Sequence, residues 1–207
     1  MKLQISFDIM DLQKAISTAQ QIAPFCDTIE IGTILIHKYG IRAINEFRNA
    51  LPKTTLLADS KIVDRGKNAA TLFAQAGADW MTVMAGTSNN VIHAVCTTAK
   101  ANGSKVVLDL LDAAAPGQSA MEAKDLGVDS LLFHRSHDET GDLEFLDNWE
   151  MIRGNTKLPI YISAKINRKN IDTILELKPD GIVMGTSIMQ SDDPVAEARF
   201  FYELVNK

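Results

Sequence analysis

The chain has 207 residues, 46% of them hydrophobic and 23% charged, a globular composition with enough length for one full core. Its formal net charge of -5 and the lack of any long basic cluster exclude a nucleic-acid surface, and its apolar runs are strand-sized, too short for a membrane span. Met1-Lys2 leads directly into a strand pattern, so no secretory leader is expected; Cys26 and Cys96, outside any C-x-x-C pair, read as small buried side chains in a reducing cytoplasm.

Residues 3–8 alternate and end in an acid, which predicts a first strand. Over 11–22, Leu12, Ala15, Ile16, Ala19 and Ile22 keep helical spacing, with Asp11 as N-cap. A second strand is expected over 28–31, a turn at Gly32-Thr33, and one helix over 36–51 stopped by Pro52. A short buried strand over 55–58 ends in Asp59-x-Lys61-x-x-Asp64, with Asp59 and Lys61 on the same side by strand alternation. Its helix is expected over 68–76, closed by Gly77. Further strands are expected at 80–84, 105–109, 130–134, 159–163 and 181–184. Their helices fall over 90–101, 118–126, 143–153, 169–177 and 194–205, with Gly103 and Gly127 as C-caps and Pro194 in a first turn.

Eight strand–helix units of roughly 26 residues predict a parallel sheet closed into a single-domain (β/α)8 TIM barrel over residues 1–207. An open Rossmann or flavodoxin-like sheet is the alternative, but Gly-x-Gly-x-x-Gly is absent after the first strand.

Catalytic groups of such barrels sit at the carboxyl ends of the strands. Asp8, Glu30, Asp59 with Lys61, Asp109 and His134 occupy those ends on strands one, two, three, five and six. One such acid commonly caps the next helix; five strands ending in ionisable groups on one rim predict a polar active site. Glu30 and Asp59, on neighbouring strands, are placed to share Mg²⁺ through oxygen ligands, an ion pair with Lys61 being the alternative. Lys61 offers a fixed positive charge to a developing oxyanion, and His134 a proton near neutral pH. The His134/His137 spacing is weak evidence for zinc. Phosphate is expected at the loops after strands seven and eight, at Ser163-Ala164-Lys165 and Gly185-Thr186-Ser187.

The segments Phe7-Asp8, Ile29-Glu30-Ile31-Gly32-Thr33, Leu57-Ala58-Asp59-Ser60-Lys61-Ile62-Val63-Asp64, Ala76-Gly77-Ala78-Asp79, Phe133-His134-Arg135 and Val183-Met184-Gly185 resemble the orotidine-5'-phosphate decarboxylase superfamily. Within it the likeness is to the branch holding 3-hexulose-6-phosphate synthase and 3-keto-L-gulonate-6-phosphate decarboxylase. The resemblance implies a Mg²⁺-dependent lyase acting on a phosphorylated ketose through an enediolate. Glu30 and Asp59 would be metal ligands, Lys61 would stabilise the enediolate, Asp8 would contact substrate and His134 would transfer protons. Asp64 would reach the partner's site in a homodimer.

The branch members are separated by a few positions. Asp109, His137 and Thr186 stand where the decarboxylases carry Glu, Arg and Arg, which favours the synthase; His134-Arg135-Ser136 looks more like the decarboxylase loop. Ala164-Lys165 replaces the family's Gly-Gly after strand seven, and Arg65 is larger than the small residue expected there. A non-catalytic phosphosugar-binding protein on the same barrel is the alternative outside the enzymes.

Overall fold

The computed structural model describes residues 1–138, 146 and 148–206. Its first quarter runs β1 (Lys2–Phe7), α1 (Leu12–Ile22), β2 (Thr28–Ile31), α2 (Thr33–Tyr39) and α3 (Ile41–Ala50). β3 (Leu56–Ile62), α4 (Gly66–Gln75), β4 (Trp80–Met84), α5 (Asn89–Ala101), β5 (Lys105–Asp109) and α6 (Pro116–Glu122) follow. The last part holds β6 (Ser130–His134), α7 (Trp149–Gly154), β7 (Ile160–Ser163), α8 (Ile171–Glu176), β8 (Gly181–Met184), α9 (Thr186–Met189) and α10 (Pro194–Val205). Every strand pairs in parallel with its sequence neighbours, and β8 pairs with β1, so the sheet closes into the expected (β/α)8 barrel. No helix among the described residues is long and apolar enough to cross a membrane.

Strand alternation splits the apolar residues into two cores. Outward residues such as Ile5, Ile29, Met81, Leu108 and Ile162 pack under the helices in one continuous cluster. Inside the barrel the apolar filling is small, chiefly Leu57, Val107, Leu132 and Val183. The other inward positions are polar, and these build the site.

Several boundaries differ from the sequence reading: the helix expected over 118–126 and closed by Gly127 is α6, which ends at Glu122 with Ala123 as its C-cap, and α9 was not expected. The helix expected over 36–51 is two, because Gly40 takes φ +59 between α2 and α3 and Thr33 already belongs to α2. The strand expected to stop at residue 58 continues to Ile62 through a bulge, where the β3–β4 register shifts between Ala58 and Ile62. Of the helix expected over 143–153, the described part is α7; residues 143–145 and 147 lie outside the described residues. Asp11 does cap α1, accepting from Lys14 N, and Asp193 caps α10 one residue before Pro194.

At the opposite, amino-terminal rim one device recurs. Asp27, Asp79, Asp129 and Asp180 precede β2, β4, β6 and β8. Each carboxylate accepts the N–H of a residue on the preceding strand, namely Leu3, Leu56, Val106 and Ile160, at 2.8 to 2.9 Å. Each of these aspartates also returns its own N–H to the same residue's carbonyl. These acids therefore tie strand starts together. Asp129→Ala leaves the buried Val106 N–H without that acceptor and is expected to cost about 1–2 kcal/mol of stability in urea denaturation. An unchanged midpoint would mean that water replaces the carboxylate at no cost.

Candidate active site

The carboxyl-terminal mouth opens into a cavity of about 450 Å³. Asp8, Glu30, Asp59, His134, Ser163, Lys165, Gly185 and Thr186 all line it, as the sequence expects. Lys61 and Asp109 join the same site through hydrogen bonds beside the cavity. Asp64 does not: it is exposed, outside the cavity lining, and its Oδ1 accepts the N–H of Arg65.

The bulge in β3 aims the central residues. Lys61 adopts φ +41, a conformation costly for a side-chain-bearing residue and typical of constrained sites. Thr82, opposite on β4, holds the bulge: its Oγ1 accepts from Lys61 N at 2.8 Å, and its carbonyl accepts from Ser60 Oγ at 2.9 Å. Thr82 Oγ1 also donates to Asp59 Oδ1 at 3.0 Å, while Thr33 Oγ1 donates to Asp59 Oδ2 at 2.6 Å. Simple alternation would bring Asp59 and Lys61 to one side; the bulge does so while leaving the lysine between two acids.

Lys61 Nζ lies 3.1 Å from Asp59 Oδ2 and 3.0 Å from Asp109 Oδ2. His134 Nδ1 lies 3.0 Å from the same Asp109 oxygen. Burial opposes the charge on each of these groups, but the pairing prevails. Lys61 and His134 are held above their ordinary pKa values, and Asp109 below its own, although it is wholly buried. Asp109 bonds Nδ1 of the imidazole, so the ring is held with its other nitrogen available to a ligand.

Glu30 is different. Its oxygens accept from the neutral donors Gln4 Nε2 and Ser6 Oγ, and it faces Asp59 across the β2–β3 seam. Burial first, and then the charge of Asp59, push its carboxyl up to about 7. Asp8, also raised chiefly by burial, accepts the N–H of Ile34 at 2.9 Å. A Cβ on Gly32 would come within 2.3 Å of Asp8 Oδ1, so only glycine leaves Asp8 this close to the β2–α2 turn.

Four participants were not singled out in the sequence: Gln4, Ser6, Thr33 and Thr82. Three of them carried a signal, being polar residues at inward positions of otherwise apolar strands. Thr33 reads as a turn residue and as the end of the Glu30-to-Thr33 segment of the resemblance, with no role of its own.

A closed parallel barrel with a paired acid, lysine and histidine network at its carboxyl-terminal mouth defines a (β/α)8 enzyme fold. More particularly, residues 1–201 match the Orotidine 5'-phosphate decarboxylase / HUMPS family, and the chain belongs to that family. Among its relatives is the 3-hexulose-6-phosphate synthase of Bacillus subtilis (strain 168), 28% identical over 209 residues and covered, like this chain, to 99%. The crystal structure of 3-hexulose-6-phosphate synthase from Salmonella typhimurium superposes with a TM-score of 0.91 at 26% identity, over 100% of this chain and 99% of that one. That of 3-keto-L-gulonate-6-phosphate decarboxylase from Vibrio cholerae O1 biovar El Tor gives 0.84 at 25% identity, over 98% and 97%.

Proposed function

We propose that the chain is a carbon–carbon lyase of the 3-hexulose-6-phosphate synthase type, joining ribulose 5-phosphate to formaldehyde with Mg²⁺. The observation that carries this reading is Lys61 held between Asp59 and Asp109 beside Glu30, whose carboxyl accepts from the neutral donors Gln4 and Ser6. Two oxygen donors enclosed together, one of them with no ion pair among the described residues, would suit a hard divalent ion. Glu30 and Asp59 would hold the ion; no group of three or more acid, His or Cys ligands occurs among the described residues. When bound, Mg²⁺ would lower the energy of negative charge on the substrate's oxygens.

The residues then divide the work. Lys61 places a permanent ammonium against the oxygens that become negative when C1 of the ketose loses its proton. The carbanionic carbon bonds to formaldehyde, whose oxygen takes a proton. His134, oriented by its bond to Asp109, accepts the proton that leaves C1 and passes it to that oxygen. Asp8 holds substrate hydroxyls. A homodimer brings Asp64 to the second subunit's cavity, which accounts for a charged residue exposed at the end of the central motif. The two cysteines are free thiols, in keeping with a cytoplasmic setting.

The phosphate would bind among Ser163, Lys165, Gly185 and Thr186, which line the same cavity. Lys165 has φ +50 and Arg65 also has φ +50, so both departures from small residues stand where glycine would be unstrained. Lys165 keeps the glycine-like turn and adds a cation. Lys165→Gly is therefore expected to raise KM for the phosphosugar about tenfold while stability rises by up to about 1 kcal/mol. A KM unchanged in that variant would take Lys165 off the phosphate.

The test of the reaction is proton exchange in D₂O. Ribulose 5-phosphate with protein and Mg²⁺ should take up deuterium at C1, EDTA should stop the uptake, and added formaldehyde should yield a hexulose phosphate. Exchange without condensation would favour the decarboxylase chemistry, with 3-keto-L-gulonate 6-phosphate as the substrate to try next. No exchange would leave a phosphosugar-binding protein.

A further inference from the structure

Beneath the site, toward the amino-terminal end, the barrel is not filled. A second cavity of about 50 Å³ lies inside it, walled by Leu57, Val107 and Leu132 and flanked by the half-buried rings of Trp80 and Tyr161. Barrel interiors are normally packed by large branched side chains. Here Gln4, Thr28, Thr82 and Ser130 take such inward positions. Ser130 is 1% exposed, and among the described residues its hydroxyl is the one buried side-chain polar atom with no hydrogen-bond partner in the protein.

Two of the polar lining residues also belong to the site above. Gln4 donates to Glu30, and Thr82 donates to Asp59. The floor of the carboxylate pair is thus the roof of this chamber. A buried hydroxyl without a partner is costly, and a space of this size with several polar walls has room for about three waters, each needing two to four polar neighbours.

We propose that the chamber holds an ordered water cluster anchored by Ser130, which fixes the Gln4 amide and the Thr82 hydroxyl beneath Glu30 and Asp59. Ser130 is then a positioning residue that acts on the site from about one layer below it. An apolar occupant fits poorly, because it would leave Ser130 unpaired. The part of this inference that concerns metal rests on the Mg²⁺ reading above; the water cluster itself does not.

The test is crystallographic, with metal binding as the second readout. A high-resolution structure of the wild type should show water within hydrogen-bonding distance of Ser130 Oγ and of Gln4 or Thr82. Crystals pressurised with xenon should show none in the chamber. In Ser130→Val, which fills the space with methyl groups, the waters should be lost and the Gln4 amide should leave Glu30. Ser130→Thr, which keeps the hydroxyl, should retain both and guards against a misfolded valine variant. Mn²⁺ binding followed by electron paramagnetic resonance should weaken about fivefold in Ser130→Val and stay near wild type in Ser130→Thr, with similar melting temperatures. An empty or xenon-filled chamber, or an unmoved Gln4 in Ser130→Val, overturns the proposal. A wild type that binds no Mn²⁺ would instead count against the metal reading, and the positions of the waters and of Gln4 would still decide this one.

Discussion

Lys61→Ala is expected to lower turnover by on the order of 10²–10³-fold, the usual loss when a preorganised donor to a developing oxyanion is removed. It should also destabilise the fold. Lys61 lies 3.0 Å from Asp109, which is wholly buried, and 3.1 Å from Asp59. Deleting one partner of such a group leaves buried charge uncompensated, at a cost of roughly 3 kcal/mol; His134, still facing Asp109, keeps it from being larger. Removing Asp109 as well should return part of that stability without returning activity. The double variant Lys61→Ala/Asp109→Ala should therefore have a higher urea midpoint than Lys61→Ala alone. Near-normal rates in Lys61→Ala would remove the lysine from the mechanism, and a double variant weaker than the single one would mean that Asp109 contributes by packing rather than charge.

The second large effect belongs to Glu30 and appears as a pH dependence. Its carboxyl is raised from 4.5, first by burial and next by Asp59, to about 7, so the metal-free fold binds this proton more tightly than the unfolded chain does. Stability then falls as pH rises from the unfolded value through the folded one. His134 acts in the same direction: its pairing with Asp109 is fully present below 6.5 and is lost as pH climbs through the raised folded value. Asp109 acts in the opposite direction, its contribution being present above 3.8 and lost as pH falls through the lowered folded value. Metal-free protein should therefore be most stable near pH 5 and lose on the order of 2–3 kcal/mol toward pH 8.5 through Glu30 alone.

Glu30→Gln removes that charge while preserving shape. Its urea midpoint should change much less between pH 5 and 8.5, and, on the proposed role of Glu30 in holding Mg²⁺, its turnover should fall at least about 10²-fold. Millimolar Mg²⁺ should restore the wild type at pH 8.5, release protons on binding near pH 6, and leave Glu30→Gln unmoved. Equal stabilisation of both proteins by Mg²⁺ would place the ion elsewhere.

The barrel was legible because its evidence is local. Hydrophobic period, the N-cap Asp11, Pro194 in a first turn, and the glycines Gly77 and Gly103 just past α4 and α5 each act within one turn of chain, and repetition of the strand–helix unit leaves few topologies. The carboxyl-terminal acids were legible for a related reason. A strand end is visible in sequence, and parallel strands that close in order put all such ends on one rim. Asp79, Asp129 and Asp180 are acids too, but they stand at the amino-terminal ends of strands. Only pairing across strands shows that they hold backbone N–H groups, as Asp27 does, and not a ligand.

By itself, then, the sequence determined the order and type of most elements, the closed parallel barrel and the list of charged residues at its mouth, all consequences of short-range pattern. Tertiary structure decided what those charges do to one another. Whether Lys61 pairs with Asp59, Asp109 or both depends on a bulge held by Thr82 from another strand. The raised proton affinity of Glu30 depends on burial and on a neighbour 29 residues away, and the space under it depends on how little Ser130 fills. Distances and desolvation belong to residues brought together from different strands, so no local pattern could carry them.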